Sequence, residues 1–161
     1  MKNLKQYITE KLKITKDNIE VHKKYKYFPN NIVELEQIID SRIASEGPEC
    51  DLNDIDISKL DNLALAFFRT NFDGDISEWD VSNVTDIQGM FKESKYTGKN
   101  GDISDWNVSN IIKMNETFNG SKFEGDLSKW TLNDKCDTYS IFVDCPLENQ
   151  PEKWPQNYKR N

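Results

Sequence analysis

One histidine, three cysteines and a long series of carboxylates are the groups in this 161-residue chain whose chemistry could be put to use. A thiol acting as nucleophile would need a base beside it, held in turn by a third group. The sole imidazole, His22, stands among Lys23, Lys24 and Lys26 and reads as part of a solvated basic run. It shares no metal-ligand spacing with Cys50, Cys136 or Cys145. A Cys136 to Cys145 disulfide is one conceivable pairing, whereas reduced, partly buried thiols are the expectation in a reducing compartment. Carboxylates such as Asp75 and Asp80 could be cast as acid and base for sugar hydrolysis, but that chemistry needs a cleft raising one pKa. No phosphate-cradling Gly-rich motif occurs. The reading is therefore a non-enzymatic protein with no catalytic residue, no cofactor and no metal.

The carboxylates Asp51, Asp75, Asp102 and Asp126 hold equivalent places in four copies of one unit, beginning at Cys50, Gly74, Gly101 and Gly125. The starts lie 24, 27 and 24 residues apart, a period typical of solenoids. Four apolar columns recur: Leu52, Ile76, Ile103 and Leu127; Ile55, Trp79, Trp106 and Trp130; Ile57, Val81, Val108 and Leu132; and Phe67, Phe91, Phe118 and Phe142. Such columns bury only by stacking on their neighbours, so tryptophan and phenylalanine ladders are expected. Ile87, Met90 and Phe91 stand at i, i+3 and i+4, one face of a short helix, and Ser82, Asn83 and Thr85 before them suit an N-cap. Gly-Asp-Ile-Ser suits a short strand, its glycine relieving the entry turn. Each unit thus reads as strand, turn and helix, with the aligned aspartates capping turns. A calcium stack would need a Gly-rich nonapeptide that the chain lacks.

Three regions follow: an N-terminal leader and capping region over 1–49, the repeats over 50–145, and a capping tail over 146–161. Leu4, Tyr7, Ile8 and Leu12 share one helical face in residues 2–14, and 19–28 could be extended up to Pro29. Asn31 to Glu34 has capping-box spacing. It opens a helix in which Val33 or Leu35, Ile38, Ile39 and Arg42 or Ile43 recur with helical period, ended by Gly47-Pro48. Pro146, Pro151, Trp154, Pro155 and Tyr158 form a tail expected to fold over the fourth unit. Charge is uneven, net +3 over 1–45 and net −10 over 46–161. No apolar run approaches the length needed to span a bilayer, and the N-terminus lacks a signal-peptide h-region.

Residues Phe72 to Phe91 and Asp102 to Phe118 resemble the BspA-like, mycoplasma-type leucine-rich repeats, whose pattern is close to F-x-x-D-(I/L)-S-x-W-(D/N)-V-S-N-V-x-x-M-x-x-M-F. Ile87 and Thr117 replace usual methionines. Cys50 and Ile55 depart in the first copy, and Lys135, Thr138 and Ile141 in the last. The resemblance implies an α/β fold, a short leucine-rich-repeat-like solenoid of four strand-turn-helix repeats with an N-terminal helical cap. It also implies protein recognition without catalysis. The opening MKNLKQYITE resembles the capsid-targeting leader of T-even-type phage internal proteins. That resemblance implies cleavage after Glu10 and packaging in a phage head. The location expected is accordingly the cytoplasm or a virion, without secretion by a signal peptide.

Recognition is expected on the strand face. The candidate protein-binding residues are Asp75, Ser77, Asp102, Ser104, Asp126 and Ser128, with Glu78, Asp105 and Lys129 as the variable column. The extra residues of the 27-residue unit fall in a Gly-containing loop at Lys95 to Asn100, a candidate contact. The expected partner is a host protein, with no direct nucleic-acid contact and no membrane. An alternative is an acidic DNA mimic inhibiting a host DNA-binding protein, since regular carboxylates could imitate phosphates.

Overall fold

A computed structural model describes residues 24–160. The helical reading of 2–14, His22 and the Glu10 cleavage position lie outside them. Helix α1 spans Ile32–Glu46. Its N-cap Asn31 accepts the Glu34 amide at 3.0 Å, while the Glu34 carboxylate accepts the Asn30 amide at 2.8 Å. The capping box is thus closed one residue further out than its usual form. Gly47 ends the helix, donating its amide to the Ile43 carbonyl. Leu35, Ile39 and Arg42 are the buried side chains of α1.

The expected α/β leucine-rich-repeat solenoid is not what the chain forms. Among the described residues α1 is the one α-helix, Pro146–Asn149 and Pro151–Lys153 are short 3-10 turns, and only isolated parallel bridges replace a sheet. Most of the molecule is coil held by turns. Strands do not form at Gly-Asp-Ile-Ser because pairing stops after single bridges such as Asp51 with Asp75.

The helices fail for a clearer reason. In a helix every amide turns back to the carbonyl four residues earlier, but here alternate amides leave for the next unit. Leu63, Leu65, Phe67 and Arg69 donate to the carbonyls of Asp86, Gln88, Met90 and Lys92 at 2.8–3.0 Å. Ile87, Gly89, Phe91 and Glu93 donate likewise to Lys113, Asn115, Thr117 and Asn119. Met114, Glu116, Phe118 and Gly120 donate to Asp137, Tyr139, Ile141 and Val143. Between them, amides such as those of Ala66, Met90 and Thr117 close turns onto the carbonyl three residues back.

Every fourth residue of this ribbon has positive φ: Leu65 and Arg69, Gly89 and Glu93, Glu116 and Gly120, Ser140 and Asp144. That left-handed conformation is costly for residues with a Cβ and interrupts any helix. Gly89 adopts it without that cost. Gly74 has a different role from the entry turn expected, since its φ is not positive. A Cβ there would run into the Cys50 carbonyl oxygen, so the glycine permits close approach of two units.

The register read from sequence is the register observed. Bridges join Asn62 to Asp86, Asp86 to Lys113 and Lys113 to Asp137, steps of 24, 27 and 24 residues. The four apolar columns are buried. Phe67, Phe91, Phe118 and Phe142 stack with centroids 5.4, 5.4 and 6.1 Å apart. Beside them runs a second column that the sequence reading missed, Phe72, Tyr96 and Phe123, at 5.9 and 5.8 Å, continued by buried Leu147. The columns also face each other at 4.4–4.6 Å. Offset stacking of this kind stabilises beyond area burial alone.

Trp106 and Trp130 stack at 6.4 Å, whereas Trp79 leans on Phe67. The Trp79 and Trp130 indoles donate to the carbonyls of Leu52 and Ile103, at 2.9 and 3.0 Å. The buried Trp106 indole N–H has no protein acceptor. Exchange for phenylalanine therefore separates these positions. Trp79→Phe and Trp130→Phe should each lose about 1 kcal/mol more stability in urea titrations than Trp106→Phe, the net worth of one hydrogen bond.

Each end of the stack is covered in part. At the front, the Lys26 and Tyr27 amides donate to the Asp54 carbonyl, and Arg42 of α1 reaches the same unit. At the rear, Trp154 stacks on Phe142 at 5.8 Å and Tyr158 meets it edge-on at 5.3 Å. Asn157 exchanges two hydrogen bonds with the Leu132 backbone.

Candidate protein-binding surface

Aspartate and asparagine recur where the chain bends because a short side-chain oxygen can accept the amide two residues on, closing an Asx turn. Asp51, Asp75, Asp102 and Asp126 take the amides of Asn53, Ser77, Ser104 and Ser128, each at 2.8 Å. A second series follows at Asp56, Asp80 and Asn107, which take Ser58, Ser82 and Ser109. A third, at Asn62, Asp86 and Asp137, takes Ala64, Gln88 and Tyr139 and opens the ribbon. The expected N-cap role of Ser82, Asn83 and Thr85 is thereby displaced. Ser82 serves the Asp80 turn, and Thr85 ties its amide and hydroxyl to the Asp61 carbonyl.

Six of the nine candidate residues therefore hold the frame. Asp75, Ser77, Asp102, Ser104, Asp126 and Ser128 form the first series of clasps, and Ser104 is buried with its hydroxyl on the Asp102 carboxylate at 3.0 Å. The other three project outward. The side chains of Glu78, Asp105 and Lys129 are 61, 83 and 62 % exposed. Lys129 pairs with Asp105 at 2.8 Å and Lys24 with Glu78 at 3.3 Å. Ion pairs as exposed as these contribute little to stability, so their side chains remain available to a partner. The first unit places Asp54 in the same column, but Arg42 and Lys26 cover it.

The Lys95 to Asn100 loop is pinned rather than free. Thr97 donates its amide and hydroxyl to the Asp73 carboxylate, both at 2.7 Å, and Lys99 pairs with Glu124 at 2.6 Å. Inside it, buried Tyr96 donates its hydroxyl to the Gly101 carbonyl at 3.1 Å.

The clasps impose a pH dependence. Burial alone would raise the Asp75 carboxyl, but the Ser77 amide and hydroxyl and the Asn53 side chain outweigh it and hold it low. The Ser82 hydroxyl and amide lower Asp80, and the Ser128 amide and hydroxyl lower Asp126. A carboxyl whose folded pKa lies below its unfolded value contributes stability above the unfolded value. That contribution disappears as pH falls through the folded one. Melting temperature should thus hold between pH 7 and 5 and drop below about pH 4. Asn107 already performs the Asp80 role without a charge, so Asp80→Asn should melt like the parent at pH 7 and show a shallower acid fall.

The three thiols are free. Burial pushes Cys136 and Cys145 each up to about 11, so neither is a ready thiolate. Among the described residues no group of three or more His, Cys, Asp and Glu is placed to hold a metal, and no helix is long and apolar enough to cross a membrane. A recess of about 310 Å³ that the sequence did not suggest lies between Ile38, Ser41 and Arg42 of α1 and the segment Tyr27 to Pro29.

The family described as "Mycoplasma protein of unknown function, DUF285" matches residues 34–154. The chain belongs to it. The DUF285 match runs from inside α1, through all four units, to Trp154 stacked on Phe142, so the family unit takes in part of both end covers. No curated protein and no solved structure matches the chain.

Proposed function

We propose that this DUF285 chain is a non-enzymatic protein-binding module that recognises a host protein through the outward column Glu78, Asp105 and Lys129. The observation that carries the reading is the division of labour on that surface. The Asp and Ser positions are engaged in turns, while the next position varies, acidic at Glu78 and Asp105 and basic at Lys129, and stands in solvent. A fixed frame with one variable exposed position per unit suits a protein partner better than a small molecule. The kinship proposed is with BspA-like repeats, supported by the residue pattern and by the mycoplasma-type family match. The phage-leader resemblance extends the proposal to a phage-encoded protein, cut after Glu10 and acting on a host component. An intact-mass measurement on protein recovered from virions tests that extension.

The test compares two variants in capture from host lysate, quantified by mass spectrometry. Glu78→Lys with Asp105→Lys should lose the enriched host protein while melting like the parent. Asp75→Asn with Asp102→Asn, which keeps the clasps, should retain it. Loss in the second variant alone would overturn the site. The acidic-mimic reading rests on the aligned carboxylates of Asp51, Asp75, Asp102 and Asp126. It is favoured instead if the captured protein binds DNA and its retention falls steeply with salt.

A further inference from the structure

The ribbon that joins the units is polar along the stack. In each unit the alternate amides point toward the next unit and the carbonyls between them toward the previous one. Four units therefore leave a row of carbonyls open at the front and a row of amides open at the rear. Among the described residues, the carbonyls of Asn62, Ala64, Ala66 and Phe68 accept no hydrogen bond, and the amides of Thr138, Ser140 and Phe142 donate none. In the ribbons between them, the equivalent amides and carbonyls are paired across units. The fourth amide of the rear row, Asp144, is taken by the Glu148 carboxylate.

We propose that the rear edge of one molecule binds the front edge of a second copy, head to tail, through the same ladder that joins the units within a chain. Each edge is already in the conformation that its counterpart accepts. Leu65 and Arg69 at the front and Ser140 and Asp144 at the rear have the positive φ found at the same places in the inner units. The side chains match as well. In register, Asp144 falls opposite Arg69 of the second copy, both exposed, as Arg69 falls opposite Glu93 at 2.7 Å within the chain. Val143 falls opposite half-buried Phe68. Leu65, Tyr139 and Val143, three of the large apolar side chains that remain exposed, all lie on these two edges. A recess of about 150 Å³ opens along the rear edge, lined by Tyr139, Ser140, Phe142 and Val143 against the tail. Unpaired edges of this kind are templates for pairing with another chain, and a head-to-tail interface that does not close generates open chains of copies.

The experiment is sedimentation velocity on the full chain from about 1 to 500 µM, with two half-blocked variants. Tyr139→Lys with Val143→Lys blocks the rear edge, and Ala64→Lys with Leu65→Lys blocks the front. Far-UV circular dichroism and thermal melts establish that each variant is folded. The parent should sediment faster as concentration rises, without a defined end state. Each variant alone should remain a monomer, while their equimolar mixture should give a dimer that grows no further, because one open front meets one open rear. A parent that stays monomeric throughout overturns the proposal. So does an associating parent whose two variants associate equally well alone, or stay monomeric when mixed.

Discussion

Phe118→Ala should cost about 3–5 kcal/mol, the usual range for removing a fully buried phenylalanine, and lower the melting temperature by roughly 10 °C. No accessible surface remains on Phe118. Its ring centroid lies 5.4 Å from Phe91, 4.4 Å from Phe123, 6.3 Å from Trp130 and 6.1 Å from Phe142. Both aromatic columns and the tryptophan pair therefore meet at this residue. Domains of this size are stable by only about 5–15 kcal/mol in total. A cavity at the crossing removes contacts from the third and fourth units together. Phe118→Leu, which refills most of the volume, should recover more than half of the loss in the same urea titration. Equal losses for Ala and Leu would mean that ring stacking rather than filled volume holds the stack.

Arg42→Met should cost about 3 kcal/mol and loosen α1 from the stack, because it leaves Asp54 with only the exposed Lys26 as partner and takes the guanidinium donor from the Asp51 carbonyl. Arg42 is 8 % exposed. One nitrogen lies 2.7 Å from the Asp54 carboxylate and another lies 2.7 Å from the Asp51 carbonyl oxygen. The guanidinium also sits over the Tyr27 ring at 5.3 Å. One side chain thus joins α1, the Tyr27 segment and the first unit. Arg42→Lys keeps the charge but not the planar fork and should recover less than half of the loss. Hydrogen exchange across Leu35 to Ile43 should accelerate more than exchange in the second and third units. Uniform acceleration would show that α1 is integral to the stack rather than a cover on its front.

The stack's register and most of its core were legible because a repeated sequence displays its own alignment. Once Gly74, Gly101 and Gly125 are superposed, the buried columns follow. The start of α1 was legible too, since Asn31 and Glu34 carry its cap. The local conformation of the units was misread. Apolar residues at Ile87, Met90 and Phe91 fit a helical face, but a ribbon with a left-handed residue every fourth position puts the same residues inside. Gly89, a poor helix former, stands within the supposed helix and marks that ribbon. Phe72, Tyr96 and Phe123 recur at 24 and 27 residues but differ in type and precede the chosen unit boundary. On the candidate surface the variable column Glu78, Asp105 and Lys129 stands in solvent. The turn-capping expected of Asp51, Asp75, Asp102 and Asp126 is seen in their Asx turns, since a bend made of coil must satisfy its own amides.

The amides that cross from one unit to the next hold the stack together, and they are observable directly as scalar couplings across hydrogen bonds in the NMR spectrum of the labelled protein. Couplings from the nitrogens of Ile87, Gly89, Phe91 and Glu93 to the carbonyl carbons of Lys113, Asn115, Thr117 and Asn119 are expected, with none from Thr138 or Ser140 in dilute solution. Couplings from Phe91 to Ile87 and from Lys92 to Gln88 would instead reveal a helix and contradict the ladder, and with it both the assignment of the clasped turns and the pairing of open edges.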